Sequence, residues 1–322
     1  MSDFYFFDSI STELDLVEAA LVKSVDSNVK IIDHAAAHLI KAGGKRIRPA
    51  FVLLAAKYFR EHIEYIIPMA VALELIHVAT LVHDDVIDNS DLRRGAPTVR
   101  SEWGNRVSIY TGNYIFAHAL TLIEEYDQTE IVDILADTSM KICEGEINQM
   151  FSCYRTDLGL KNYLRRIERK TALLISVSCQ LGAMVSDANS EQIKALKEYG
   201  YYLGMAFQIT DDILDFIADE KTLGKPTGSD IRQGVITLPA IYALKYDPHR
   251  DELKRLLASP ELCKTEAERI IDIIVNSAGI DYAYYATNHF ANQAQKKLGL
   301  LPASPLRQTF AEFADFLSAR EC

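Results

Sequence analysis

The chain has 322 residues, is 49% hydrophobic and carries a formal net charge of -11 with a pI near 5.3. That acidity argues against nucleic acid as a partner, because phosphate backbones select basic surfaces. Only 9 Pro and 15 Gly interrupt the sequence, and no linker-like stretch appears, so a single domain over 1–322 is expected, large enough to hold a core with a cavity in it.

From the N-terminus, Leu14, Val17, Leu21 and Val25 recur at intervals of three and four, the spacing of an amphipathic helix. The N-terminus shows no basic segment followed by an apolar one, so no signal peptide is expected. Gly43-Gly44-Lys45-Arg46-Ile47-Arg48-Pro49 then sets a glycine stop, three cations and a Pro suited to a first helical turn. Free N–H groups at a helix start, together with fixed positive side chains, make an anion site.

A helix starting near Pro68 carries Leu73, Ile76, Thr80 and Ile87 on a helical period and ends in Asp84-Asp85-Val86-Ile87-Asp88. Carboxylates four residues apart share one helix face and repel, and the helix C-terminus disfavours their charge. Alone, such a cluster reads as a solvated helix end. A second copy, Asp211-Asp212-Ile213-Leu214-Asp215, follows the apolar stretch Tyr199 to Ile209. The repeat points to a cation, and hard oxygen donors suit Mg²⁺.

Basic residues follow each cluster. Arg93-Arg94 stands in the loop closed by Gly95 and Pro97, and Lys225 in the Gly224–Asp230 segment, a stretch suited to a lid. The longest runs without formal charge, Val107 to Ile123 and Thr171 to Ser186, are shorter than the roughly 20 apolar residues of a membrane span. The five cysteines lack CxxC spacing and read as free thiols of a reducing, cytoplasmic setting. Helical periodicity throughout, with no clear period-2 strand, predicts an all-α fold. Lys245 to Cys322 continues the helical pattern without evident chemistry.

Taken together, these segments resemble the trans-isoprenyl diphosphate synthases, or polyprenyl synthetases. The resemblance runs from Gly43 to Leu244 and includes Gly145-Glu146 with Gln149, Lys170-Thr171-Ala172, Gln208 and Thr237-Leu238-Pro239. Across Leu75 to Arg100 and Tyr163 to Ala183 it is nearest the larger, catalytic subunits of two-component heptaprenyl synthases. It implies the isoprenoid synthase fold, a helical bundle around a central cavity, and a Mg²⁺-dependent condensation of isopentenyl diphosphate with an allylic diphosphate. Asp84, Asp88 and Asp211 would ligate Mg²⁺, with Asp85, Asp212 and Asp215 in support. Arg93, Lys170 and Lys225 would hold the allylic diphosphate, and Lys45, Arg48, His77 and Arg94 isopentenyl diphosphate. Thr171 and Gln208 would turn their dipoles toward the reacting carbons.

The resemblance also bears on product length. In short-chain relatives an aromatic residue fills the place of Ala79, about 7.5 Å along the helix from Asp84, with Ile76 about 12 Å away. Here Ala79, Thr80 and Ile76 would leave the channel floor open, which fits a long, heptaprenyl product serving a menaquinone side chain. A dimer is implied, with a smaller component 1 subunit as partner in the two-component enzymes; a homodimeric octaprenyl or solanesyl-type synthase is the alternative. Two positions depart from the common pattern: Asn113 where many members have Asp, and Val235 where many have Lys. An HD-type phosphohydrolase built on His83-Asp84 leaves the second acidic cluster unexplained. A terpene cyclase usually replaces that cluster, and a non-catalytic regulatory subunit would not keep both acidic and basic sets.

Overall fold

The computed structural model describes residues 5–25, 27–60, 64–93, 95–218 and 226–318. Among them the chain is helical almost throughout: α1 (Ser11–Ser24), α2 (Lys30–Lys41), α3 (Ile47–Lys57), α4 (Ile67–Ile87), α5 (Val99–Ile123), α6 (Thr129–Ser152), α7 (Leu160–Ile167), α8 (Leu173–Met184) and α9 (Ser190–Ile217). The short α10 (Ser229–Arg232) and α11 (Leu238–Tyr246) precede α12 (Arg250–Leu257), α13 (Pro260–Thr265), α14 (Ala267–Val275), α15 (Gly279–Leu298) and α16 (Pro305–Ser318). The expected all-α class holds. A two-residue antiparallel ribbon, β1 (Leu92–Arg93) with β2 (Ala96–Pro97), is the exception, and it folds the basic loop after the first acidic cluster back on itself.

The chain divides into two compact units. The first comprises Met1–Ala136, Val177–Lys197 and Leu301–Thr309. Its centre is α4, whose Met69 to Ile76 are all buried. A helix apolar on every side belongs in a protein interior. That explains why Glu64–Ile87, long and apolar enough to cross a membrane by composition, has 72% of its most apolar window buried. Pro68 sits in the first turn, where its missing N–H costs nothing. Thr98 caps α5 by accepting from the Ser101 N–H at 3.1 Å, and Gly104, at φ 80°, kinks that helix.

The second unit comprises Asp137–Ser176, Glu198–Leu300 and Phe310–Cys322. One buried cluster gathers Phe216, Ile231, Ile236, Leu253, Leu257 and Ile274; another gathers Tyr163, Ile167, Ala172, Met205, Ile209 and Ile213. Between α7 and α8, residues Glu168–Ala172 widen into a π-type turn. An inserted residue of this kind re-aims the side chains beside it and is frequent at functional sites.

Candidate active site

On α4, 100° per residue places His77, Leu81, Asp84 and Asp88 within a narrow stripe. The stripe is also where the helix opens: His77, Leu81 and Asp84 are partly exposed and Asp88 is exposed, while Asp85 is 1% exposed. The first cluster therefore splits by face. Asp84 and Asp88 are accessible, and Asp85 turns inward to the Arg93 guanidinium, whose Nε lies 2.8 Å and Nη2 2.7 Å from Asp85 Oδ1. Burial raises the Asp85 carboxyl above its ordinary value, and Arg93 opposes the rise. Asp85 Oδ2 is buried without a hydrogen-bond partner. Such an orphaned anionic oxygen is costly unless positive charge lies close by.

Lys45 is exposed and Arg48 partly so at the start of α3, as an anion site requires. Arg46 is different. The sequence groups it with them as a third cation, but its backbone is left-handed at φ 47° and its side chain is 7% exposed. Its guanidinium binds Glu74 on α4 at 3.0 Å, Glu18 on α1 and the Ile40 carbonyl at 3.2 Å. These acids outweigh burial and push the guanidinium pKa further up. Arg46 thus belongs to the interior of its unit, unlike the exposed Lys45 and the partly exposed Arg48. Gly112 lets α5 approach α4, since a Cβ there would collide with the His83 imidazole. That close approach accounts for His83 as packing.

Ile76 and Ala79 are 2% and 1% exposed. Their side chains are packed against neighbours, and the partly open position of the three is Thr80, whose hydroxyl donates to the His77 carbonyl at 2.8 Å.

In the second unit the π-type turn presents Lys170 and Thr171 side by side. Lys170 Nζ lies 3.4 Å from Gln149 Oε1, and the Thr171 hydroxyl 2.5 Å from Gln208 Oε1. Gln208 in turn donates to Asp212 Oδ1 at 2.8 Å, and the Tyr163 hydroxyl donates to Asp212 Oδ2 at 2.8 Å. The expected residues Lys170, Thr171, Gln208 and Asp212 therefore form one connected region, with Gly204 allowing α9 to lie against Ala172. Asp211 is exposed, whereas Asp212 and Asp215 are 3% and 1% exposed. Burial pushes the Asp212 carboxyl up to about 7, Asp230 adds to the rise, and Gln208, Tyr163 and Arg166 oppose it. Asp215 accepts the Asp230 N–H at Oδ2, 3.1 Å away, and its carbonyl accepts the Gly228 N–H at 2.7 Å.

Sequence reasoning does not single out Tyr163, Glu74 or Asp230; only the amphipathic run around Tyr163 hints at a role. Arg94 and Lys225 lie outside the described residues. Among the described residues, no three His, Cys, Asp or Glu side chains gather as a ready-made metal cage. Mg²⁺ does not need one, since it usually keeps waters and takes one or two carboxylates plus substrate phosphate. In the first unit accessible Asp84 and Asp88, beside the orphaned oxygen of Asp85, fit that donor set; in the second unit Asp211 is an accessible carboxylate of the same kind.

The polyprenyl synthetase family pattern matches residues 29–274. The chain belongs to that family. It is 44% identical to heptaprenyl diphosphate synthase component 2 of Geobacillus stearothermophilus, with 98% of each chain covered. Identity to the protein of the same name from Bacillus subtilis is 42%, over 98% of this chain and 90% of that one. The solved heptaprenyl diphosphate synthase of Staphylococcus aureus superposes with a TM-score of 0.92 at 37% identity, covering 97% of this chain and 98% of that one. A polyprenyl synthase from Caulobacter crescentus, solved with calcium and isoprenyl diphosphate, gives 0.92 at 34% identity over 98% and 97% of the two chains. As a polyprenyl synthetase, the chain has the family's all-α fold, and these relatives extend the resemblance beyond Gly43 to Leu244 at both ends.

Proposed function

We propose that this polyprenyl synthetase condenses isopentenyl diphosphate with an allylic diphosphate, farnesyl or longer, into a long all-trans product, heptaprenyl diphosphate. What carries the reading is nearly full-length likeness to heptaprenyl synthases combined with accessible Asp84, Asp88 and Asp211, of which Asp84 and Asp211 each stand next to a buried, hydrogen-bonded aspartate. In this reading the whole chain acts as one catalytic domain.

The accessible aspartates would hold Mg²⁺, with Asp85 and Asp215 as supporting carboxylates. Bound Mg²⁺ supplies Lewis-acid stabilisation of the departing oxygens, worth several kcal/mol. Arg93, Lys170 and Lys225 hold the allylic diphosphate as its charge grows. Thr171 and Gln208 orient hydroxyl and amide dipoles toward the allylic cation, and the hydrogen bond to Asp212 fixes which way Gln208 points. Lys45, Arg48, His77 and Arg94 hold isopentenyl diphosphate while its double bond attacks. Proton loss then restores the alkene.

The name shared by two relatives, component 2, supports a dimer with a smaller component 1 subunit, and the free thiols suit a reducing cytosol with the product handed to a membrane. Purified chain, isopentenyl diphosphate, farnesyl diphosphate and Mg²⁺, with and without a component 1 subunit, test the proposal by mass spectrometry. Heptaprenyl diphosphate is expected with the partner present. Full activity alone with a longer product would favour a homodimeric octaprenyl or solanesyl-type enzyme. No diphosphate release under either condition would overturn the proposal.

A further inference from the structure

A second anion-attracting feature lies within the second unit, walled in part by Tyr163, whose hydroxyl donates to Asp212, and lined by no residue of either acidic cluster. Between α6 and α7 opens a cavity of about 250 Å³ whose walls include Arg155, Arg165, Arg166 and Arg169, and no Asp or Glu. In a chain of net charge -11, four arginines converging on one hollow without a lining acid are a marked local inversion of charge. We propose that this cavity binds a diphosphate group, at a site separate from the aspartate-held substrate.

The arginines are unequally committed. Arg166 is anchored: its Nη2 donates to the Ile236 carbonyl at 2.7 Å, and its guanidinium stacks 5.4 Å from the centre of the Tyr163 ring. That fixes the planar group at the wall and leaves further N–H donors. Arg155 and Arg169 pair with Asp157 and Glu144, whose side chains are 61% and 63% exposed. Exposed pairs of that kind hold weakly and exchange readily for a more highly charged partner. The Arg165 side chain is exposed and has no ion pair among the described residues. Arg166 is held at the wall within electrostatic reach of Asp212, so Arg165 is the cation open to a ligand at rest and Arg155 and Arg169 are releasable, which matches the multiple charge of a diphosphate and the fork geometry that guanidinium groups offer its oxygens.

Gly159 precedes α7 without a side-chain cap, and it lines the cavity together with Asn162 of the first turn. The Asn162 N–H is taken by the Gly159 carbonyl at 3.0 Å, so the arginine side chains carry the attraction. Gln149 belongs to the same wall and accepts from Lys170, so an occupant would touch a residue that also meets a proposed substrate-binding lysine.

Inorganic diphosphate, which the condensation releases, and the head of a prenyl diphosphate share this chemistry. Arginine modification by phenylglyoxal in EDTA, mapped by peptide mass spectrometry, reads the site without turnover. Inorganic diphosphate at twice its dissociation constant should slow modification of Arg165 and Arg155 about threefold. Isopentenyl diphosphate, in a parallel arm, protects to the same degree if the head group alone is recognised and better if a prenyl chain is also held. The exposed-residue variant Arg155→Ala/Arg165→Ala should weaken diphosphate binding by isothermal titration about tenfold, roughly one charge-assisted contact or more, with its circular dichroism unchanged. Equal modification rates with and without both anions would overturn the proposal, as would undiminished affinity in the double variant.

Discussion

Arg46→Met tests the buried ion pair that separates Arg46 from its neighbours Lys45 and Arg48. In the native chain Glu74, with a side chain 3% exposed, has Arg46 3.0 Å away. Removing the arginine strands a carboxylate in the interior, a change that costs about 3–5 kcal/mol. Glu18, 31% exposed, keeps water as a substitute partner, so its share is about 0–1 kcal/mol. At about 2.1 cal/mol/K of unfolding entropy per residue, each kcal/mol moves the melting temperature of a chain this long by about 1.5 °C. Scanning calorimetry should therefore find Arg46→Met lowered by about 4–7 °C, and Glu18→Gln lowered by no more than about 1–2 °C. The double variant Arg46→Met/Glu74→Met removes both charges and should recover much of the loss. Because Arg46 sets the backbone between Lys45 and Arg48, the KM for isopentenyl diphosphate should rise more than that for the allylic substrate. If Arg46→Met costs no more than Glu18→Gln, or if the two losses in the double variant simply add, the reasoning fails.

Three further outcomes follow from the same geometry. Ala79→Tyr should shorten the polyprenyl product seen by mass spectrometry. Because Ala79 is 1% exposed, it should also lose about 1–3 kcal/mol of stability to overpacking; an unchanged product length in a folded Ala79→Tyr enzyme sinks the channel assignment. Gly204→Ala puts a Cβ 2.6 Å from Ala172 Cα, backbone that cannot swing aside. Both the melting temperature and kcat should fall, since the displaced turn carries Lys170 and Thr171, and normal kcat would refute the coupling. For Asp212, the folded value near 7 lies above the unfolded carboxylate value of about 4. The native state thus keeps a proton that the unfolded state has lost, and metal-free stability should decline as pH rises from about 4 to about 7, by up to about 1.4 kcal/mol per pH unit. Urea titrations in EDTA should show this slope in the native sequence and lose it in Asp212→Asn.

Helix content, the breaks at Gly43 to Pro49 and Pro68, and the two acidic clusters are legible in the sequence because periodicity, Gly and Pro act locally. The inward turn of Arg46 is not. Lys45-Arg46-Ile47-Arg48 reads as three equivalent cations until Glu74, far along the chain, supplies a buried partner, and no local rule predicts a left-handed arginine. The packing at Ala79 is hidden for a related reason: a small residue is equally suited to lining a channel and to bringing helices close. The four arginines of the second unit are equally opaque, since Arg155 and Arg169 are separated by a loop and a helix and read singly as solvated charges.

The two acidic clusters, identical in pattern, prove to be built differently. In both, the second aspartate points about 100° away from the first and is buried. Asp85 meets a cation, Arg93, whereas Asp212 meets the neutral donors Tyr163 and Gln208. Their last residues differ as well: Asp88 caps α4 in the open, while Asp215 is enclosed and ties down the segment Gly228 to Asp230. The first cluster thus offers two accessible carboxylates and the second one, which is the division expected if the first carries most of the Mg²⁺ coordination and the second fastens the segment following Lys225. Replacing Asp88 by Asn should accordingly weaken Mg²⁺ dependence with little loss of stability. Asp215→Asn should chiefly loosen the 228–230 segment, detectable as faster amide hydrogen exchange there, and unaltered exchange would remove that distinction.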